Sequence, residues 1–215
     1  MRPPRDQRPY NVAYYRAHRE EEIERVRISQ AATLEFLRDL RRRPCHDCGE
    51  TFSPWVMDFD HRDPRTKLFA LAAGKALLKS RDVLLAEIAK CDIVCANCHA
   101  MRTYEWVRAN RATLSWFTVG SSPRIEEKRA YWKANIELLA KLRDVPCMDC
   151  GQRFPFYVMQ FDHRDSTQKR YTISQMVSRA GTKTILAEVA KCDIVCANCH
   201  RERTYRSRKV NAGVL

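Results

Sequence analysis

The sequence predicts an α+β protein built from two tandem copies of one small, cysteine-rich unit, and three observations carry that prediction. Residues 89–99 and 190–200 are the same eleven letters, AKCDIVCANCH. Upstream, PCHDCG (44–49) and FDHRD (59–63) return as PCMDCG (146–151) and FDHRD (161–165), at an offset of 102 that becomes 101 after one deletion. Each copy also alternates a short β-rich run with stretches of helical periodicity. A chain of 215 residues with 45% apolar content fits one large domain or two small ones. The repeat selects two, residues 1–119 and 120–215.

Each unit opens on a helix. Residues 18–43 place Ile23, Val26, Ile28, Leu34, Leu37 and Leu40 in a largely amphipathic pattern, and residues 124–144 form a shorter counterpart. A CxxC knuckle follows in each, then VMDFDH (56–61) or VMQFDH (158–163). Partial alternation and β-forming residues make each run a strand that ends on an Asp-His pair. Helical spacing resumes over 82–91 and 184–192, with Ser80 or Asp82, and Thr182 or Thr184, as N-caps. These helices lead to the second CxxC and, directly after it, to His99 or His200. The segment TVGSSPR (118–124) marks the linker, and residues 1–10 and 207–215 read as loose tails.

The cysteines explain how units this small hold together. Eight of ten form the pairs Cys45/Cys48, Cys95/Cys98, Cys147/Cys150 and Cys196/Cys199, two pairs per unit. Thiolates at this spacing converge on one tetrahedral zinc ion, and a bound metal supplements a thin core. A disulfide framework or a redox CxxC is the rival reading. MRPPRDQRPY has no apolar stretch of a secretory signal and no run reaches membrane-spanning length, so a reducing cytoplasm, and with it metal rather than disulfide, is expected. The pairs are separated by 46 and 45 residues, which leaves room for a functional insert. Cys91 and Cys192 are expected to be small buried side chains, not ligands.

The order CxxC, then Asp-His, then CxxCH, present twice, resembles the HNH endonucleases of the ββα-metal fold, in the subgroup with two CxxC pairs around the site. The resemblance covers about residues 44–104 and 146–205. It implies two tandem ββα-metal units, each with a four-cysteine structural zinc site and a preceding helix. It further implies that His61 and His163 are general bases, and that Asp60 with His99, and Asp162 with His200, bind a catalytic divalent ion, Mg²⁺ or Mn²⁺ with Zn²⁺ as the alternative. A neutral imidazole can take a proton from water near neutral pH, and a divalent cation stabilises charge on a phosphodiester and its leaving oxygen. The chain departs from the family pattern at the middle letter, where Lys90 and Lys191 replace asparagine. What holds the base imidazole is therefore open, and Asn97 and Asn198 are given no orienting role.

Charge points to the same partner class. The chain carries +13 overall, with 21 basic against 16 acidic side chains in residues 1–119 and 18 against 10 in residues 120–215. Both units would be drawn to nucleic-acid phosphates. Arg62, Lys67, Arg102, Arg164, Lys169 and Arg203 flank the expected sites and are the candidate phosphate contacts, with ordinary solvated charge as the alternative. The Arg41–Arg43 run is read as a cationic helix end, with DNA contact the alternative. The resulting expectation is a cytoplasmic, phage- or bacterial-type DNA endonuclease acting as a monomeric pseudo-dimer. The alternative is a zinc-stabilised nucleic-acid-binding protein without catalysis; a thiol redox protein ranks last.

Overall fold

The computed structural model describes residues 8–71, 74–110 and 123–211. The first repeat runs α1 (Arg8–Ala17), α2 (Arg19–Leu40), β1 (Met57–His61), α3 (Arg81–Ile88), β2 (Cys91–Cys95) and α4 (Ala96–Ala109). The second runs α5 (Pro123–Leu142), β3 (Met159–His163), α6 (Ile173–Met176), α7 (Thr182–Val189), β4 (Cys192–Cys196) and α8 (Ala197–Asn211). The linker residues 118–122 lie outside the described residues, as do residues 1–7 and 212–215 of the expected tails. The rest of those tails is helical: Arg8–Tyr10 belong to α1 and Ser207–Asn211 to α8. Among the described residues no helix is long and apolar enough to cross a membrane.

One element per unit differs from the sequence reading. Helical periodicity suggests that the third helix carries the chain into Cys91, yet α3 stops at Ile88 and CDIVC is a strand. β1 and β2 pair antiparallel, with Met57 opposite Cys95, Asp60 opposite Asp92 and His61 opposite Cys91; β3 and β4 repeat that register. The β-branched pair Ile93-Val94 fits a pleated surface, and the partner strand supplies the hydrogen bonds a lone five-residue run lacks. The second CxxC thus follows a strand. Its first cysteine, Cys95, becomes the N-cap of α4, its sulfur accepting the Cys98 N–H. α3 starts after Ser80, one of the expected caps, whereas α7 starts after Gly181, one residue before the first threonine expected there.

The knuckles are tight turns closed on the sheet. Gly49 and Gly151 sit at φ +73° and +70°, a conformation that a side chain disfavours. They let Gly49 N–H reach Cys45 O and Gly151 N–H reach Cys147 O, both at 2.9 Å. Within the first knuckle, His46 N–H bonds Ile93 O at 2.9 Å and fixes the turn to β2.

Leu37, Val56, Met57, Leu84 and Val94 are buried to within 1% in the first repeat's core, and in the second repeat Val158, Met159 and Val195 are equally buried in one cluster and Ile185 in another. Side chains of this size contribute roughly 1.5–3 kcal/mol each on burial. Arg41 does not project outward with Arg42 and Arg43. It folds over the Phe59 ring at 4.6 Å, as Arg143 does over Phe161.

The repeats meet through the two helices that follow the second CxxC, related by a pseudo-twofold. Asn97 N–H bonds Asn198 Oδ1, and Asn198 N–H bonds Asn97 Oδ1, both at 2.9 Å. Each asparagine caps the other repeat's helix, satisfying a first-turn N–H that has no partner inside its own helix. Further out, Tyr104 stacks on Tyr157 at 3.8 Å and Trp55 on Tyr205 at 3.6 Å. Met101 of α4 packs against the second repeat's core as well as its own.

Candidate metal and acid–base centre

β1 and α4 build the centre of the first repeat. Side chains alternate across a strand, so Asp58 and Asp60 share one face of β1 while Met57, Phe59 and His61 share the other. The first turn of α4 brings His99 to both carboxylates. Its Nδ1 lies 2.8 Å from Asp58 Oδ2 and its Nε2 3.5 Å from Asp60 Oδ1. In the second repeat His200 Nε2 lies 3.3 Å from Asp162 Oδ1, and Gln160 takes the place of Asp58. The structure therefore brings Asp60 to His99 and Asp162 to His200. His99 is easier to protonate than an ordinary imidazole because Asp58 accepts its hydrogen bond, which outweighs its burial.

His61 turns to the opposite face, where its Nε2 lies 2.8 Å from Glu87 Oε1. Glu87 is 1% exposed and also accepts the Leu68 N–H at 2.7 Å and Lys90 Nζ at 2.6 Å. Burial pushes this carboxyl up, but Lys90, the Leu68 amide and His61 together hold it at about 2. Glu188 repeats the arrangement with His163 at 2.9 Å, Lys191 at 2.7 Å and the Arg170 N–H at 3.1 Å. Lys191 is the strongest influence there and outweighs burial, again giving about 2. An ionised carboxylate only accepts, so in the neutral ring the nitrogen facing it carries the hydrogen and Nδ1 carries the lone pair. Lys90 and Lys191 thus brace the glutamate that braces the histidine. His61, Asp60, His99 and Lys67 line one cavity of about 690 Å³ in the first repeat.

Four of the six candidate phosphate contacts are held by groups of the protein itself, Arg102 and Arg203 half-buried and Arg62 and Arg164 exposed. Arg102 bonds Asp47 through Nε at 2.8 Å, Asp92 at 2.9 Å and Asp60 at 3.3 Å, and so ties the knuckle to the carboxylate of the centre. Arg203 does the same with Asp149, Asp193 and Asp162. Arg62 is held by Asp92 and by the carbonyls of Cys91 and Ala89, and Arg164 by Asp193 and the carbonyls of Cys192 and Ala190. Their charge is largely neutralised within the protein. Lys67 and Lys169 are exposed.

Beside each centre, four sulfur atoms converge. Cys45, Cys48, Cys95 and Cys98, and likewise Cys147, Cys150, Cys196 and Cys199, have Sγ atoms within 4.8 Å of one another and could hold a metal ion. A tetrahedral Zn–S distance of about 2.3 Å corresponds to sulfurs roughly 3.8 Å apart, so the groups fit such an ion. Burial pushes the Cys45 and Cys147 thiols up, but backbone N–H donors outweigh it and bring both to about 7. Burial and the neighbouring sulfurs push Cys98 and Cys199 up. Cys91 and Cys192 lie outside both groups, each donating its S–H to a backbone carbonyl, Glu87 O or Glu188 O.

Sequence reasoning passed over Glu87, Glu188, Asp58, Arg201 and the two capping asparagines. A signal existed for the glutamates, since EIAKC (87–91) and EVAKC (188–192) keep Glu and Lys at fixed distance from the sheet. No protein-family model matches the chain, and neither does a curated protein or a solved structure.

Proposed function

We propose that this protein is a metal-dependent endonuclease of tandem HNH type that cleaves DNA phosphodiesters, with zinc in the two cysteine groups as structural support. The observation that carries the reading is the twofold occurrence of a histidine braced by a buried, ionised glutamate on the strand that also carries the aspartate of an aspartate–histidine pair. His61 and His163 each keep Nδ1 to accept a proton from water, while Glu87 and Glu188 fix the ring and stabilise the imidazolium that results. Asp60 and His99, and Asp162 and His200, would hold a divalent ion, Mg²⁺ or Mn²⁺ with Zn²⁺ as the alternative. Such an ion supplies stabilisation of charge on the phosphate and on the leaving 3′ oxygen. Arg102 and Arg203 orient the aspartates, and Lys67 and Lys169 contact phosphates. Two centres on one chain would serve both strands of a duplex.

One observation favours a second reading, a zinc-stabilised nucleic-acid binder without catalysis: the side chains of His61 and His163 are only 6% exposed. Supercoiled plasmid incubated with the zinc-loaded protein and Mg²⁺ or Mn²⁺ separates the two. Nicked or linear product that vanishes in His61→Ala/His163→Ala, with DNA binding retained, supports the nuclease. Binding by the parent protein without cleavage under any of these ions supports the binder.

A further inference from the structure

The two centres differ in what each repeat lends the other. Arg201, on α8 of the second repeat, reaches Asp58 of the first with both terminal nitrogens, Nη1 to Oδ1 at 2.7 Å and Nη2 to Oδ2 at 2.6 Å. Asp58 faces His99 Nδ1 at 2.8 Å, and the other ring nitrogen stands 3.5 Å from Asp60 Oδ1. A carboxylate beside a guanidinium stays ionised and accepts only, so His99 Nδ1 carries the hydrogen and Nε2 presents its lone pair beside Asp60. The pseudo-symmetric positions are Ala100 and Gln160. Alanine cannot reach across, glutamine brings no charge, and the space between them is part of an open cavity of about 420 Å³.

We infer that Asp58 and Arg201 are positioning residues that make the first repeat's Asp60/His99 centre the tighter divalent-cation site, completed in trans by the second repeat. The inference rests on the reading of Asp60/His99 and Asp162/His200 as ion ligands. Partners that orient a ligating imidazole through its other nitrogen contribute about 10- to 100-fold in metal affinity. Among the described residues the second centre has no such carboxylate, so it takes its ion more weakly, and the two fill in order.

The test is a Mn²⁺ titration of the zinc-loaded protein with ¹⁵N-labelled histidine, followed by paramagnetic broadening of each ring. His99 should broaden at Mn²⁺ concentrations about tenfold or more below those that broaden His200. Before Mn²⁺ is added, the neutral His99 ring should carry its hydrogen on Nδ1. Arg201→Ala and Asp58→Asn should close the gap by weakening the first site. Ala100→Arg/Gln160→Asp, which builds the mirror clamp, should close it by tightening the second, a gain that a merely structural role would not produce. Simultaneous broadening in the parent protein, or a gap that survives Arg201→Ala, would overturn the inference and leave the ligand assignment standing. If neither ring responds to millimolar Mn²⁺, the ligand assignment itself is wrong and the inference goes with it.

Discussion

The interior of each repeat and the junction between them follow different rules. Inside, the copies agree closely: His61–Glu87 and His163–Glu188 measure 2.8 and 2.9 Å, and Lys90 and Lys191 meet their glutamates at 2.6 and 2.7 Å. At the junction, apart from the reciprocal Asn97–Asn198 bonds, they part. Asp58 has Arg201, while its counterpart Gln160 faces Ala100, and a Trp55–Tyr205 stack stands opposite a Tyr104–Tyr157 stack. A buried carboxylate with three donors has few alternatives, because removing any donor leaves charge or a polar group unsatisfied. A half-buried contact between repeats has more, and there the copies have become unequal.

The largest effect expected in this comparison comes from the cysteines. Cys45→Ser and Cys147→Ser should each cost one zinc equivalent, and structural zinc contributes on the order of 10 kcal/mol to small domains. Metal analysis and calorimetry together check this, and the Asn97/Asn198 caps predict that loss of either site broadens unfolding of both repeats. Next, Glu87→Ala and Glu188→Ala should each destabilise by about 3–5 kcal/mol, since a half-buried lysine and an amide lose their acceptor. Urea midpoints that differ widely between these two variants would break the claim that the interiors are equivalent.

A smaller loss, about 1 kcal/mol, is expected for Asn97→Ala or Asn198→Ala, in line with removal of a helix N-cap. The double variant should cost more than either alone, because two separate hydrogen bonds disappear. A double-mutant cycle on Trp55 and Tyr205 should give a coupling of about 0.5–1.5 kcal/mol, and the Tyr104/Tyr157 cycle sharpens the contrast between the two stacks. The effect of pH is confined to acid. Glu87 and Glu188 are held at about 2 against an ordinary 4.5, so the stability they confer is complete above pH 4.5 and is lost as pH falls towards 2. Chemical denaturation at a series of pH values should show both repeats weakening over that interval and no contribution from these groups to any pH dependence near neutrality.

The cysteine groups were legible because each CxxC pair is local and stated twice, and the Asp60–His99 and Asp162–His200 pairs were expected only through the resemblance that the repeated order of motifs carries. β2 and β4 were not legible, because a five-residue run owes its extended form to a partner strand far upstream in the chain. Arg102 read as a phosphate contact for a similar reason: its partner Asp47 lies 55 residues away in the chain. Glu87 was hidden in an amphipathic helix, where a glutamate ordinarily faces water. The Asn97–Asn198 exchange spans 101 residues and depends on how two finished units dock, which no local pattern encodes.

That exchange also orders the making of the molecule. During synthesis the start of α4 emerges with its Asn97 amide answered only by water, and it stays so until Asn198, 101 residues later, has left the ribosome. The earlier half is therefore capped only once the later half has been made.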